Sequence, residues 1–145
     1  MAIELEKIAT SNQLPATSYR VNIIKRNNEY ILDPIPMFKQ IVLDLKHKKS
    51  KEKIAYRFHL TVADMIRKTS LILRKENNIN KVVLSGGVFQ NNLLLHLSSA
   101  LLYKEGFSVF MHKKLACNDS GISLGQAIIA NFSPAKGGGS HQRRK

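Results

Sequence analysis

From Ile54 to Leu73 the residues Ile54, Phe58, Val62, Met65, Ile66, Thr69, Leu71 and Leu73 keep a spacing close to 3.6. That period lines one face of a helix and predicts one from a cap at Ser50 to about Arg74. Lys53 stands where a capping box has Glu. A shorter helix before it rests on Met37, Ile41, Val42 and Leu45. Asp33 is its natural N-cap, with Pro34 at the first helical position, where a missing N–H costs nothing. Upstream, apolar patches in Tyr19–Lys25 and Glu29–Leu32 flank Asn27-Asn28, which predicts a β-hairpin. Ala2–Thr10 is amphipathic through Ile3, Leu5 and Ile8, and so short a helix needs a surface to pack on. Ser11–Ser18 is polar and reads as a loop.

The second half has a different rhythm. Val82-Val83-Leu84 is a short β-branched run, predicting a buried strand over 81–85. Ser85-Gly86-Gly87 breaks it, and a helix is predicted from Asn91 to Lys104 with Leu93, Leu94, Leu97, Leu101 and Leu102 inward. Gly106 closes that helix as a C′ glycine. Phe107–Met111 is a second apolar strand, reached through a helix and therefore parallel to the first. A loop over 112–118 leads to Asp119, and a last helix spans Ile122–Phe132. The order is α/β in type, with too few strands for a complete doubly wound sheet.

Strand, glycine turn and helix together present backbone N–H groups to an anion, and the helix N-terminus adds free donors and partial positive charge. An ordinary tight turn uses the same residues. Asn91 likewise reads either as an N-cap or as a ligand amide that donates and accepts at once. Asp119, at a loop-to-helix junction, reads as an N-cap. His59, inside a helix beside Phe58, reads as a packed or surface side chain.

Length and composition narrow the class. The 145 residues, 43% of them hydrophobic, suit one domain with a genuine core. No stretch is long and apolar enough to span a membrane. Cys117 is the single cysteine, which leaves no internal disulfide or cysteine-based zinc site and suits a reducing cytoplasm. The net charge of +13 raises nucleic-acid binding as a possibility. Lys136, Arg143, Arg144 and Lys145 sit in a Gly-rich basic tail over 133–145, read as flexible or appended, and without them the charge is +9. His47–Lys53 forms a further basic cluster between two predicted helices. It reads as a solvated connector or a phosphate-facing patch, and no aromatic residues interleave with its lysines to stack bases.

The wording of several stretches adds a resemblance. KVVLSGGVFQNN (81–92) and NDSGISLGQA (118–127), with AIELEKIA, YILDPIPMF and IAYRFHLTVAD upstream, resemble the C-terminal end of HypF-type carbamoyltransferases. These mature nickel–iron hydrogenases and are related to TsaD-like threonylcarbamoyl transferases. Asn92 stands where that family usually has Arg, and Ser120 where it usually has Gly. The similarity runs over residues 2–132 and covers a small part of the family protein.

The resemblance implies most of one lobe of the actin/sugar-kinase-like (ASKHA) fold. It places Ser85, Gly86, Gly87 and Asn91 against ATP or carbamoyl-adenylate, makes Asp119 a ligand of a divalent metal, and brings His59 and Asn118 near the site. It assigns no catalytic residue. The family's His-x-x-x-His metal pair has no counterpart, since His47, His59, His96, His112 and His141 are never four apart. A lone carboxylate holds no transition metal tightly. Acylphosphatase-like, zinc-finger and carbamoyl-phosphate-activating parts are also not encoded. The expectation is therefore a cytoplasmic, nucleotide-facing lobe, incomplete alone. It would be completed by N-terminal segments of the same enzyme or a complementing chain, and served by a hydrogenase-maturation partner that accepts the carbamoyl group. Self-association is a further expectation for a lobe with exposed apolar surface. The alternative is a non-catalytic basic module that binds nucleic acid or an acidic protein.

Overall fold

The computed structural model describes residues 2–10, 16–112 and 121–132 of the chain. Helix α1 spans Ala2–Thr10. Strands β1 (Asn22–Arg26) and β2 (Glu29–Asp33) pair antiparallel, with Arg26 opposite Glu29. Asn27 and Asn28 make the turn with φ of 49° and 63°. Two consecutive left-handed residues match the right-handed twist of the strands, and Asn tolerates that conformation.

Tyr19, predicted as the first strand residue, lies outside the hairpin. It is only 2% exposed, its N–H donates to the Thr61 hydroxyl at 2.8 Å, and its own hydroxyl donates to Asp44 at 2.9 Å. Bonds to two helices hold it, rather than a strand partner.

Helix α2 covers Ile35–Lys46, and two details differ from the sequence pattern. Pro34 is the cap rather than the first helical residue, while Asp33 still accepts the Ile35 N–H at 3.0 Å. The inward face carries Met37 and Asp44, leaving Val42 49% and Leu45 54% exposed. Ionic partners around Asp44 set this orientation against the hydrophobic pattern.

Helix α3 runs from Lys51 to Asn77 and packs against α1. Ser50 caps it by accepting the Lys53 N–H at 3.3 Å, and Asn78 ends it in the left-handed conformation at φ 54°. Its buried residues are Ile54, Ala55, His59, Thr61 and Ala63. Small side chains hold the deepest positions because neighbouring helices approach there. The larger Phe58, Val62, Met65 and Ile66 are half-buried beside them, and Leu73 is exposed.

Strand β3 (Lys81–Leu84) and strand β4 (Ser108–Met111) pair parallel, as predicted, with Leu84 opposite Met111. Between them helix α4 occupies Asn92–Lys104 and packs on α3. The Gly106 N–H bonds the Tyr103 carbonyl at 2.9 Å and the Phe107 N–H bonds that of Leu102 at 3.1 Å. With Gly106 at φ 79° this is a Schellman close, and Phe107 and Leu102 supply its apolar contact within one core cluster. That cluster also buries Leu84, while a second joins Ala9, Ala55 and Leu93 across α1, α3 and α4. Helix α5 spans Gly121–Phe132. The architecture is α/β with two separate two-stranded sheets among the described residues.

Candidate functional site

The glycine turn after β3 is organised differently from a simple strand-to-helix junction. A 3₁₀ turn, Gly87–Gln90, lies between strand and helix, so α4 starts at Asn92 and Asn91 is its cap. Gly86 has φ 97° and ψ 160°, a region open in practice to glycine alone. Gly87 has no such constraint, and a Cβ added there meets nothing within 4 Å. Gly86 is thus the residue the turn requires, and Gly87 the one that leaves space beside it.

Asn91 and His59 form a chain of hydrogen bonds in which every role is fixed. The Leu94 backbone N–H can only donate, so the Asn91 group 2.7 Å from it is the carbonyl Oδ1. The amide nitrogen therefore faces His59 Nε2 at 2.9 Å. Nε2 must accept, so the ring proton sits on Nδ1 and is donated to the Ala55 carbonyl at 2.8 Å. His59 is 3% exposed and meets the Phe58 ring edge-on. Asn91 keeps one N–H and one Oδ1 lone pair for a ligand. It is both a cap and an available amide.

Gly87, Asn91 and His59 line one cleft of about 410 Å³, walled by apolar Ile3, Leu5, Phe58, Val62, Val88 and Leu94. Gln90 and Glu6 complete its rim. Glu6 reaches from α1 to accept the Leu93 N–H at 3.2 Å. The first turn of α4 therefore has its Leu93 donor taken by Glu6 and its Leu94 donor by Asn91. The free helix-end donors expected for an anion are, at these two positions, already bonded.

Ser85 lies apart from this cleft. Its hydroxyl is 2.9 Å from His112 Nε2 and both residues are exposed. The parallel register explains the pairing, since Ser85 and His112 are the next residues after Leu84 and Met111. Ligands of open α/β sheets bind beyond such carboxyl strand ends. Asn118 and Asp119 lie outside the described residues. Among those described, no three His, Cys, Asp or Glu side chains come together, so they offer a divalent metal no donor set. Sequence reasoning passed over both Glu6 and His112 as site residues. His112 was reachable from the parallel pairing, but Glu6 meets Leu93 across 87 positions with no local signal.

The basic cluster is partly neutralised. Lys49 and Arg57 contact the Asp44 carboxylate at 2.7 and 2.5 Å. Burial alone raises the Asp44 carboxyl, but hydrogen bonds from Lys49 and Tyr19 and the Arg57 charge outweigh it and hold it below its ordinary value. Burial, then the bond to Asp44, push the Tyr19 phenol up to about 12. The Arg57 guanidinium stacks 3.9 Å from the Tyr19 ring centre.

Known proteins resemble this chain in sequence and fold. A carbamoyltransferase from Synechocystis sp. (strain ATCC 27184 / PCC 6803 / Kazusa), named HypF, is 31% identical over 127 residues, spanning 88% of this chain and 16% of its own length. A crystal structure of full-length HypF in the phosphate- and nucleotide-bound form is 41% identical with a TM-score of 0.77, over 90% of this chain and 17% of that one. The T.kodakarensis HypF structure, at 23% identity and a TM-score of 0.70, shares the fold over 89% of this chain and 16% of its own. The short sheets and helices are accordingly part of an ASKHA-like lobe. This chain spans about a sixth of the length of these relatives. The family model for the second subdomain of the Kae1-like carbamoyltransferase domain matches residues 1–126, and the chain belongs to that HypF-type family.

Proposed function

We propose that this chain is the nucleotide-facing lobe of a HypF-type O-carbamoyltransferase. Its cleft would hold the adenosine end of carbamoyl-adenylate while the carbamoyl group passes to a protein cysteine during hydrogenase maturation. In that transfer the cysteine gives its proton to solvent, its thiolate forms a C–S bond at the carbamoyl carbon, and the C–O bond to the adenylate phosphate breaks, releasing AMP. The residues present bind and orient rather than attack. Asn91 offers its remaining N–H and lone pair to a ribose hydroxyl or the neutral carbamoyl group. Gly87 leaves room for close approach, and the walls at Phe58, Val62 and Val88 exclude water from one side. The remaining segments of the enzyme, in the same or another chain, would supply the opposite wall.

The observation that carries this reading is the meeting of His59 from α3 with Gly87 and Asn91 of the glycine turn at one cleft, with the Asn91 amide held in one orientation. Half a cleft buries its ligand only in part, so AMP affinity of roughly 0.1–10 mM is expected. Gly87 carries no positive φ, so Gly87→Val fills the cleft without straining the turn. Calorimetry should show AMP binding lost in Gly87→Val and little changed by salt. Binding that survives Gly87→Val and falls steeply with salt would identify phosphate attraction to the basic cluster His47–Lys53, the basic-module reading.

A further inference from the structure

We propose that an open basic cleft between the α2–α3 connector and the first turns of α3 binds an acidic segment of a partner protein, extended and carrying carboxylates at alternate positions. The cleft has a volume of about 440 Å³, is lined by Ala16, Thr17, Lys49, Lys53 and Arg57, and shares no residue with the cleft at the glycine turn. Three cations line it, and no acidic residue does so among those described. Asp44 lies behind them and pairs with two, Lys49 at 2.7 Å and Arg57 at 2.5 Å. Three cations against one carboxylate leave positive charge in excess.

Two of the cations are already held in place. Arg57 Nε donates to the Thr17 carbonyl at 3.0 Å, Nη1 donates to Asp44, and the guanidinium lies 3.9 Å from the centre of the Tyr19 ring. Its side chain is 13% exposed, and Nη2 keeps its hydrogens without a partner among the described residues. Lys49 is fixed by the same Asp44. Lys53, half-buried one turn before Arg57, makes no ion pair among the described residues. A ligand therefore meets donors that lose little freedom on binding it. The Lys53 N–H is bonded to the Ser50 hydroxyl, so the cleft presents side-chain charge rather than an open helix end.

Spacing and lining choose the ligand. Residues four apart on a helix rise about 6 Å, which places the Lys53 and Arg57 stems close to the roughly 6.6 Å between alternate residues of an extended chain. Carboxylates on one side of such a segment can meet both cations at once. A single anion spans none of that interval, so AMP gains little here. Nucleic acid has the charge but would need a ring on which to stack its bases. No aromatic residue lines the cleft, and Tyr19 behind it is 2% exposed with its face covered by Arg57.

The test follows fluorescence anisotropy of a labelled peptide alternating Asp and Ser as it binds the full chain. A peptide of the same composition with its Asp residues in one block should bind the parent at least about threefold more weakly. Lys53→Gln should weaken the alternating peptide about fivefold, and Lys53→Arg should restore it. Lys51→Gln, which removes the same charge two residues away and outside the cleft, should change it less than about twofold. Equal losses in Lys53→Gln and Lys51→Gln, or equal binding of the two peptides, would mean diffuse attraction to a basic surface and overturn the proposal. So would an oligothymidylate of equal charge that binds more tightly than the alternating peptide and loses affinity in Lys53→Gln, which would make the cleft a nucleic-acid site.

Discussion

His59 and Asn91 stand 32 positions apart and meet through one hydrogen bond, and their substitution separates positioning from packing. His59→Leu leaves the Asn91 amide and the Ala55 carbonyl without their partner and should cost about 2–3 kcal/mol in urea unfolding. His59→Gln places an amide oxygen near the Nε2 position and should restore the Asn91 side-chain amide signals to their parent shifts, which a purely space-filling role would not require. At the turn, Gly86→Ala should cost about 1–3 kcal/mol by thermal unfolding, because φ 97° is closed to side chains, whereas Gly87→Ala should be nearly neutral. The sequence marked both glycines and Asn91 but could not divide their roles. Which glycine bends the chain depends on the inserted 3₁₀ turn, and one residue of offset decides it.

Among the elements, α2 shows where periodicity stops being informative. Its apolar residues predict an inward Val42 and Leu45, yet Asp44 takes the buried position because Tyr19, Arg57 and Lys49 all reach it. Those partners are distant in sequence, so no local pattern announces them, whereas caps such as Ser50 and the Gly106 close are local and were legible. The network has a pH signature with two edges. The Asp44 carboxyl is held below its ordinary value of 3.8, so its contribution is present above that pH and is lost as pH falls through the lower folded value. The Tyr19 phenol moves the other way, from 10.0 to about 12, so its contribution is complete below pH 10 and is lost as pH rises toward 12. Stability measured by denaturant across pH should fall at both edges in the parent. In Tyr19→Phe the alkaline loss should shrink while part of the acidic loss remains.

Taken whole, the molecule is a lobe with unmatched surfaces. Val83 and Phe110, cross-strand partners on β3 and β4, are 67% and 51% exposed, and α2 shows Ile35, Phe38 and Val42 to solvent. A face of this kind normally meets another part of the protein or a partner. Phe38→Glu should therefore lower any concentration-dependent association seen by sedimentation while leaving the helical circular dichroism intact. The fold class and the parallel pairing were legible because each strand and helix carries its own signal. The cleft was not, because α1, α3 and the glycine turn meet there only in three dimensions. The most direct test of the nucleotide-facing reading is amide shift mapping of the full chain on titration with AMP. Shifts concentrated at Gly87–Asn91 and at His59 are the predicted result, and shifts confined to His47–Lys53 would contradict it.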